Sequence, residues 1–315
     1  TPRGGKLMIE TKSGRKSPAT RVGLLLLLTA LSSIPPYLFL NFFVGSSVTF
    51  PERNLWNLLV AYALNFALIL PLMGRFLGIP LRSVWSGGKA DWKNMGRYIP
   101  VSFFLTAVGF VLASALLALF QALGQQSTNE VFEILGNSDS PFVITGWYLC
   151  VILIGPLYEE FLCRGLLLSA LKPYGDFFAV LVSAVFFSIG HGNFSQMFVP
   201  FLSGMAWGYI TLRTGSIKTA YLLHALNNAL PIIPQALGGL TRTNFAFLTP
   251  LAYSALGAIG AFLLVKHRAR VLAYLHPREE APPEYSKIRF LFNPLILLWL
   301  LYCVFNLVLS VRPIA

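Results

Sequence analysis

Residues 142–171 read FVITGWYLCVILIGPLYEEFLCRGLLLSAL, an apolar run that carries Glu159, Glu160 and Arg164 in its second half. A helix of about 20 apolar residues is long enough to cross the hydrocarbon core of a bilayer. An ionisable group at that depth costs several kcal/mol unless it is paired or hydrated, so such residues indicate functional sites. This stretch therefore predicts a membrane helix and a site within it.

The composition of the whole chain points to a membrane protein. Of its 315 residues, 56% are hydrophobic and only 11% are charged, and the mean hydropathy is +0.67. The formal net charge is +12, but the basic residues flank the apolar runs rather than forming one polar surface. This placement is typical of membrane topology signals, so we expect contacts with membrane lipids and no nucleic-acid partner.

Nine apolar stretches are candidate membrane spans, and they predict an all-α, polytopic transmembrane bundle of eight or nine helices around a membrane-embedded polar cavity. The stretches are 22–44, 54–73, 98–121, 142–171, 177–194, 197–212, 217–234, 248–265 and 290–311.

The loops between the stretches alternate in charge. The N-terminal segment, residues 75–97, the turns at Lys172 and at 213–218, and residues 266–289 are basic, whereas the loop with Glu130, Glu133 and Asp139 has no basic residue. Because short cytoplasmic loops are rich in Lys and Arg, we predict a cytoplasmic N-terminus and an opposite location for the C-terminus. The chain is expected to be a multi-pass protein of a bacterial inner membrane.

Helical spacing organises the ionisable residues that fall within these spans. Glu160 and Arg164 are four residues apart and can pair on one helix face, whereas Glu159 points about 100° away, with no partner in its own helix. His224 and Asn228 also share a face. At about 1.5 Å of rise per residue, Glu159 and His191 come to roughly 18 and 21 Å from the same membrane face, so they are expected to line one cavity.

These residue types can hydrolyse an amide without a serine or cysteine nucleophile. A carboxylate beside a neutral imidazole can hold a water molecule and take its proton, which predicts that Glu159 and His191 activate water. An imidazole and a carboxamide can donate hydrogen bonds to the resulting oxyanion, which suits His224 and Asn228.

Three motifs at these positions resemble the CAAX prenyl protease and bacteriocin-processing (Abi-type) family of intramembrane peptidases. They are Glu-Glu-x-x-x-Arg at 159–164, Phe-x-x-x-His at 187–191 and His-x-x-x-Asn at 224–228. The resemblance implies a metal-independent, glutamate-type endopeptidase without a cofactor. It implies that Glu159 and His191 activate water, that His224 and Asn228 form the oxyanion hole, and that Glu160 and Arg164 hold the geometry.

On this basis the chain divides into five predicted parts. These are a basic cytoplasmic segment 1–21, supporting transmembrane helices 22–121, a CAAX-protease-like catalytic core 142–266, a basic cytoplasmic loop 267–289 and a final transmembrane helix 290–315. The substrate expected for such a core is a membrane-associated peptide or lipidated protein that enters from the cytoplasm or the bilayer, such as a prenylated CAAX peptide or a bacteriocin or leader precursor.

Several other interpretations of the same residues stay open. The two Glu and two His side chains can be read as zinc ligands, although the usual His-Glu-x-x-His pair on one helix is absent. Cys163 is a conceivable thiol nucleophile, but a small residue in a helix interface is the commoner case. A non-catalytic membrane scaffold or immunity protein, and a transporter with a buried proton-relay carboxylate, are the alternatives from other functional classes.

Overall fold

A computed structural model describes residues 18–275 and 285–314, apart from residues 33, 40–41, 43–48, 128–137, 139, 242–243 and 246. Several sequence predictions lie outside these described residues. They include most of the basic N-terminal segment, the acidic loop residues Glu130, Glu133 and Asp139, and part of the basic loop 267–289.

The described chain is built almost entirely of helices, which confirms the predicted all-α membrane-type bundle. The α-helices are α1 Pro18–Leu31, α2 Ile34–Phe39, α3 Phe50–Leu64, α4 Leu70–Leu77, α5 Leu81–Ser86, α6 Met95–Ala122, α7 Pro141–Leu149, α8 Gly155–Glu160, α9 Leu168–Leu171, α10 Asp176–Ile189, α11 Phe198–Thr214, α12 Ile217–Thr241, α13 Leu248–Lys266, α14 Arg268–Leu275, α15 Lys287–Leu291 and α16 Pro294–Leu309.

Two long helical segments contain turns of π-helix, in which each N–H donates to the carbonyl five residues earlier. Residues Asn65–Ile69 join α3 to α4, Cys150–Ile154 join α7 to α8, and Phe161–Leu167 join α8 to α9. The Gly155 N–H donates to the Cys150 carbonyl, and the Leu168 N–H to that of Cys163. Such turns are rare and occur frequently at functional sites. Here two of them flank the glutamate pair.

All nine predicted apolar stretches are helical over most of their described length. Five helical segments are long and apolar enough to cross a membrane: Pro18–Phe39, Phe50–Leu77, Trp92–Ala122, Pro141–Tyr174 and Leu248–Lys266. The apolar helices Asp176–Ile189 and Pro294–Leu309 are shorter. The 14 residues of α10 extend only about 21 Å, less than the roughly 30 Å of a bilayer core. The total number of spans stays a prediction.

One sequence prediction is wrong in detail, because the stretch 177–194 does not stay helical to its end. Helix α10 ends at Ile189, and residues 190–193 form a turn in which Gly192 has a φ of +69°. A left-handed φ is strongly favoured at glycine, so Gly192 fits this turn. His191 therefore lies on a turn and not within a helix.

The predicted basic loops meet at one end of the bundle. The Ser216 Oγ donates to the Gly88 carbonyl at 3.2 Å, and the Asp91 N–H donates to the Thr219 Oγ1 at 3.0 Å. At the same end, Tyr174 packs against Phe290 in an edge contact with ring centroids 5.2 Å apart. This grouping agrees with the alternation of loop charge, while its orientation in a membrane stays a prediction.

The other end carries a small sheet that the sequence did not predict. Strands β1 Gln125–Ser127 and β2 Val311–Pro313 pair antiparallel, with Gln126 opposite Arg312. The strands follow α6 and α16 directly, so these two helices end on the same side of the bundle. Three residues per strand are too few to give a sequence signal, and the pairing arises because two helix ends lie side by side.

Helix α6 is packed closely against its neighbours through small residues. A Cβ atom added to Gly260 of α13 would clash with the Pro100 carbonyl oxygen of α6. On another face of α6, a Cβ on Gly109 would lie 2.8 Å from the Val199 Cα of α11. Small residues allow membrane helices to approach backbone to backbone. Through α6, these contacts connect α13 to the helices of the functional site.

We expect Gly260→Ala to destabilise the protein by about 1–3 kcal/mol, because the added methyl forces α6 and α13 apart. The check is the thermal unfolding midpoint of the purified protein in detergent. Gly257→Ala is the matched control, since its Cβ would come no closer than 3.9 Å to the Phe104 Cα. Equal midpoints for the two variants would contradict the close packing.

Candidate functional site

The site is centred on a fully buried ion pair. The Arg164 Nη1 lies 3.2 Å from the Glu160 Oε1, and both side chains have 0% exposure. The spacing of four residues predicted this pair, and the structure confirms it. Desolvation of two charges is expensive, so a pair at this depth is stable only if further partners compensate each charge.

His224 of α12 bridges the two adjacent glutamates. Its Nδ1 lies 3.0 Å from the Glu160 Oε1, and its Nε2 lies 3.4 Å from the Glu159 Oε2. A carboxylate that is paired with arginine only accepts hydrogen bonds, so the His224 Nδ1 carries the proton in its contact with Glu160. The Nε2 is then the nitrogen that faces Glu159.

Aromatic rings enclose this polar cluster. Trp207 of α11 stacks on the His224 imidazole, with centroids 4.4 Å apart and planes inclined by 27°. The Arg164 guanidinium lies over the Phe187 ring, 4.6 Å from its centroid. The Trp207 Nε1 donates to the buried Ser102 Oγ of α6 at 2.9 Å. These contacts fix the plane of the imidazole and stabilise the arginine charge through cation–π attraction.

The charges of the cluster do not balance within its own side chains. Arg164 contributes one positive charge, whereas Glu159 and Glu160 contribute two negative charges if both are ionised. An uncompensated charge in a low-dielectric interior is costly. Glu159 is the carboxylate that is partly exposed, so its charge can also be compensated from outside the cluster.

Glu159 is the accessible member of the pair of glutamates. Its side chain is 27% exposed, whereas that of Glu160 has no exposure. The aromatic neighbour Tyr158 is held in place by its hydroxyl, which donates to the Asn65 Oδ1 at 3.2 Å. Glu159 therefore combines a close contact with His224 inside the bundle with access for a water molecule or a substrate.

His191 is presented by the turn that follows α10. Its Nδ1 lies 2.8 Å from the Phe187 carbonyl, which can only accept, so Nδ1 carries the proton and Nε2 is left as an acceptor. Its imidazole contacts the Phe187 ring at 5.1 Å, and His224 contacts the same ring at 5.6 Å. The Ser188 hydroxyl donates to the Met197 carbonyl and fixes the turn.

Asn228 makes a contact that explains part of the backbone geometry. Its Nδ2 donates to the Val151 carbonyl at 2.9 Å. In the π-turn, the Gly155 N–H donates to Cys150, so the next residue would donate to Val151. That residue is Pro156, which has no N–H. Asn228 therefore supplies the hydrogen bond that Pro156 cannot, and one further N–H of its amide is left for another acceptor.

The structure brings four of the six predicted site residues into direct contact: Glu159, Glu160, Arg164 and His224. His191 adjoins them through Phe187, and Asn228 lies one helical turn beyond His224. No hydrogen bond or ion pair joins Glu159 to His191 among the described residues; the imidazole in contact with Glu159 is that of His224. The expected pairing of Glu159 with His191 is thus not seen as a direct contact.

Sequence reasoning missed the residues that position the predicted ones. Trp207 and Ser102 lie within apolar spans and belong to no motif, so no periodicity distinguishes them from packing residues. Val151 acts through its backbone carbonyl, which no sequence pattern reveals. Only the glycines on both sides of His191 signal a turn at that position.

Two residues near the motifs have packing roles, and that of Cys163 agrees with the commoner interpretation of this residue. Cys163 is buried in an apolar cluster with Phe187, Trp207 and Leu223. Asn227 accepts a hydrogen bond from the Thr106 Oγ1 of α6 at 2.9 Å.

The metal-binding alternative has little geometric basis in the described part of the chain. Within that part, no group of three or more His, Cys, Asp and Glu side chains is close enough to hold a metal ion. The near contacts of the cluster are instead a hydrogen bond between His224 and Glu160 and a 3.4 Å contact between His224 and Glu159.

Comparison with known proteins agrees with the resemblance of the motifs. Residues 141–230 match the family described as Type II CAAX prenyl endopeptidase Rce1-like, which confirms the predicted resemblance over this segment. The chain is also 21% identical, over 186 residues, to a Bacillus subtilis (strain 168) protein named "Putative membrane peptidase YdiL". This alignment covers 58% of the chain and 72% of that relative. No solved structure matches the chain.

We expect Arg164→Met to destabilise the protein by about 3–5 kcal/mol, because it leaves the Glu160 carboxylate buried without its countercharge. The double variant Glu160→Gln/Arg164→Met removes both charges and should recover much of that loss. Chemical denaturation in detergent checks both values. If the stability lost in the double variant equalled the sum of the losses in Glu160→Gln and Arg164→Met, the two charges would not compensate each other.

A double-mutant cycle tests the link between Asn228 and Pro156. Asn228→Ala should cost about 1–3 kcal/mol, because the Val151 carbonyl loses its donor. In a Pro156→Ala background, the new N–H can reach that carbonyl, so the same change should cost at least about 1 kcal/mol less. Unfolding free energies of the four proteins give the coupling, and an equal cost in both backgrounds would refute it.

Proposed function

We propose that this protein is an intramembrane peptidase that hydrolyses a peptide bond in a membrane-associated substrate. The main support is the position of Glu159, the partly exposed carboxylate beside the buried side chains of Glu160, Arg164 and His224. The family match over residues 141–230 includes all six of these site residues. The membrane peptidase name of the Bacillus relative points to the same class of reaction.

In this proposal Glu159 and His191 activate the attacking water. Glu159 accepts a proton from the water, and the unprotonated Nε2 of His191 accepts its second hydrogen bond. The water then bridges two groups that do not touch each other directly. A base and an acceptor on different elements fix both the position and the direction of attack, which lowers the entropy cost of the reaction.

His224 and Asn228 are proposed to stabilise the oxyanion. The His224 Nδ1 is committed to Glu160, so only an Nε2 that also carries a proton can donate to the substrate oxygen. Such an imidazolium is the state that neutralises the cluster. As negative charge moves from Glu159 to the oxyanion, the His224 Nε2–H can turn over a short distance from the carboxylate to the oxyanion. The free N–H of Asn228 supplies a second donor.

Glu160, Arg164 and Trp207 act as positioning residues in this scheme. Glu160 holds the His224 tautomer through Nδ1, Arg164 balances the Glu160 charge, and Trp207 fixes the plane of the ring. The substrate we propose carries its scissile bond near the membrane, for example a prenylated CAAX-type peptide or a bacteriocin or leader precursor. Such a substrate can reach Glu159 without disrupting the buried Glu160–Arg164 ion pair.

We expect Glu159→Gln and His191→Ala each to lower the cleavage rate by about 10²- to 10⁴-fold, because water loses its base or its second acceptor. Both variants should stay folded, with a cooperative unfolding transition. The measurement uses purified protein and a peptide panel with and without a prenyl group, with and without a metal chelator. His267→Ala is the control for loss of a histidine outside the site, and it should cleave at the wild-type rate.

Two outcomes would count against a hydrolase. If Glu159→Gln retained full cleavage, the carboxylate would not be the base. If no peptide were cleaved and Glu159→Gln still rescued a deletion strain, a non-catalytic scaffold would explain the site better, because the glutamine keeps the shape and loses only the base. Loss of activity with chelator, restored by added metal, would instead favour a metallopeptidase.

A further inference from the structure

A second, open cleft lies at the basic end of the bundle, between α5 and α12. It has a volume of about 430 Å³, and its walls are Trp85, Trp92, Tyr221 and Leu222, with Lys89 and Lys218 among its lining residues. Volumes of this order are typical of sites for small ligands or parts of larger ones. None of these residues belongs to the site of the proposed peptidase.

The walls of the cleft are largely aromatic and include two exposed tryptophans. Trp92 is 69% exposed and Trp85 is 41% exposed. Trp92 begins the segment Trp92–Ala122, which is long and apolar enough to cross a membrane, so we expect this part of the chain at a membrane boundary. Tryptophan is enriched at that level, because its ring packs on lipid chains while its N–H contacts the headgroup region.

The two lysines give the cleft a positive charge that the described chain does not neutralise. Neither Lys89 nor Lys218 forms an ion pair with a carboxylate among the described residues, and the Lys218 Nζ lies over the Trp85 ring, 5.0 Å from its centroid. The nearby Asp91 is already engaged, since its Oδ2 accepts from the Asn94 Nδ2 at 2.8 Å and from the Tyr98 hydroxyl at 3.0 Å.

The cleft is also held in shape by contacts that do not involve a ligand. The Gly88 carbonyl accepts from the Ser216 hydroxyl, and the Asp91 N–H donates to Thr219, so the loop before α6 is fixed to the start of α12. On its inner side, Trp85 stacks on Phe161 at 5.8 Å with nearly parallel planes. The backbone positions of Lys89 and Lys218 are thus set relative to the aromatic walls.

From these features we infer that the cleft binds the headgroup of an anionic glycerophospholipid, with phosphate at Lys89 and Lys218 and the first methylene groups on Trp85 and Trp92. The charge requires an anion, and the exposed apolar walls require an attached hydrocarbon chain, which a free phosphate lacks. Basic pockets between membrane helices recognise anionic headgroups in this way. The zwitterionic phosphatidylcholine carries no net charge to match the two lysines.

The lipid site is close to the proposed active site along two elements. Phe161, which stacks on Trp85, directly follows Glu160 in the chain, and Tyr221 lies one helical turn before His224. A bound headgroup would therefore restrain both helices that carry the charged cluster. Binding itself is independent of the peptidase proposal and is measured without any activity assay.

Native mass spectrometry of the full purified chain in detergent tests the inference. Phosphatidylglycerol and phosphatidylcholine are titrated separately against the wild type and the double variant Lys89→Gln/Lys218→Gln. We expect wild type to retain phosphatidylglycerol preferentially and the double variant to bind it roughly tenfold to thirtyfold more weakly. The variant Lys89→Arg/Lys218→Arg keeps both charges and should bind close to wild type.

The matched control is Lys93→Gln/Arg97→Gln, which removes two exposed basic residues of the same region outside the cleft. If both charge-removing variants bound phosphatidylglycerol equally more weakly, the lipid would bind to a diffuse basic surface, and the inference would be overturned. Unchanged phosphatidylglycerol binding in Lys89→Gln/Lys218→Gln would also overturn it. Competition by soluble sn-glycerol 3-phosphate as strong as that of the lipid would assign the cleft to a free anion. If a peptide with a free C-terminal carboxylate competed more strongly than the same peptide with an amidated C-terminus, the cleft would be a site for a peptide carboxylate.

Discussion

The structure depends on how one negative charge is kept inside a bundle of apolar helices. Glu160 has no exposure, and its Oε1 receives both the Arg164 guanidinium and the His224 Nδ1. Arg164 lies in the π-helical segment after α8 and His224 lies in α12. Their shared contact with Glu160 therefore holds these two segments together. Phe187 and Trp207 complete the enclosure from α10 and α11. Four helical segments are thus arranged around a single carboxylate.

The backbone on both sides of the glutamate pair, at residues 150–167, is irregular. A π-turn on each side of α8 leaves carbonyl groups whose usual donors have shifted or, at Pro156, do not exist. At Pro156, a side chain of a neighbouring helix replaces the missing donor, since the Asn228 amide donates to the Val151 carbonyl. The Cys163 carbonyl accepts from the Ser183 hydroxyl at 3.0 Å in addition to the Leu168 N–H. In hydrocarbon, an unpaired backbone group costs several kcal/mol. The irregular helix therefore exists only together with the helices that complete its hydrogen bonds.

The bundle keeps its buried charge and its accessible groups apart. Glu160 and Arg164 lie inside, whereas Glu159 and His191 are partly exposed at the same cluster. Two adjacent positions in the chain thus hold one fully buried carboxylate and one that can meet water. At the basic end, Lys89 and Lys218 form no ion pair within the described part of the chain, and they lie beside exposed tryptophans. Inside the bundle, the Glu160 charge is paired with protein side chains. At the basic end, the two lysine charges are available to the lipid headgroup proposed above.

The sequence by itself determined the helical class, the apolar stretches, the Glu160–Arg164 pair and the grouping of basic loops, because these follow from composition and from spacing within one helix. It also indicated six candidate site residues through their motifs. Only the tertiary structure decided that His224 contacts both glutamates, that His191 lies on a turn, and that Trp207 and Ser102 position the imidazole. These features depend on the rotation and depth of one helix relative to another, which packing between helices sets and local periodicity does not.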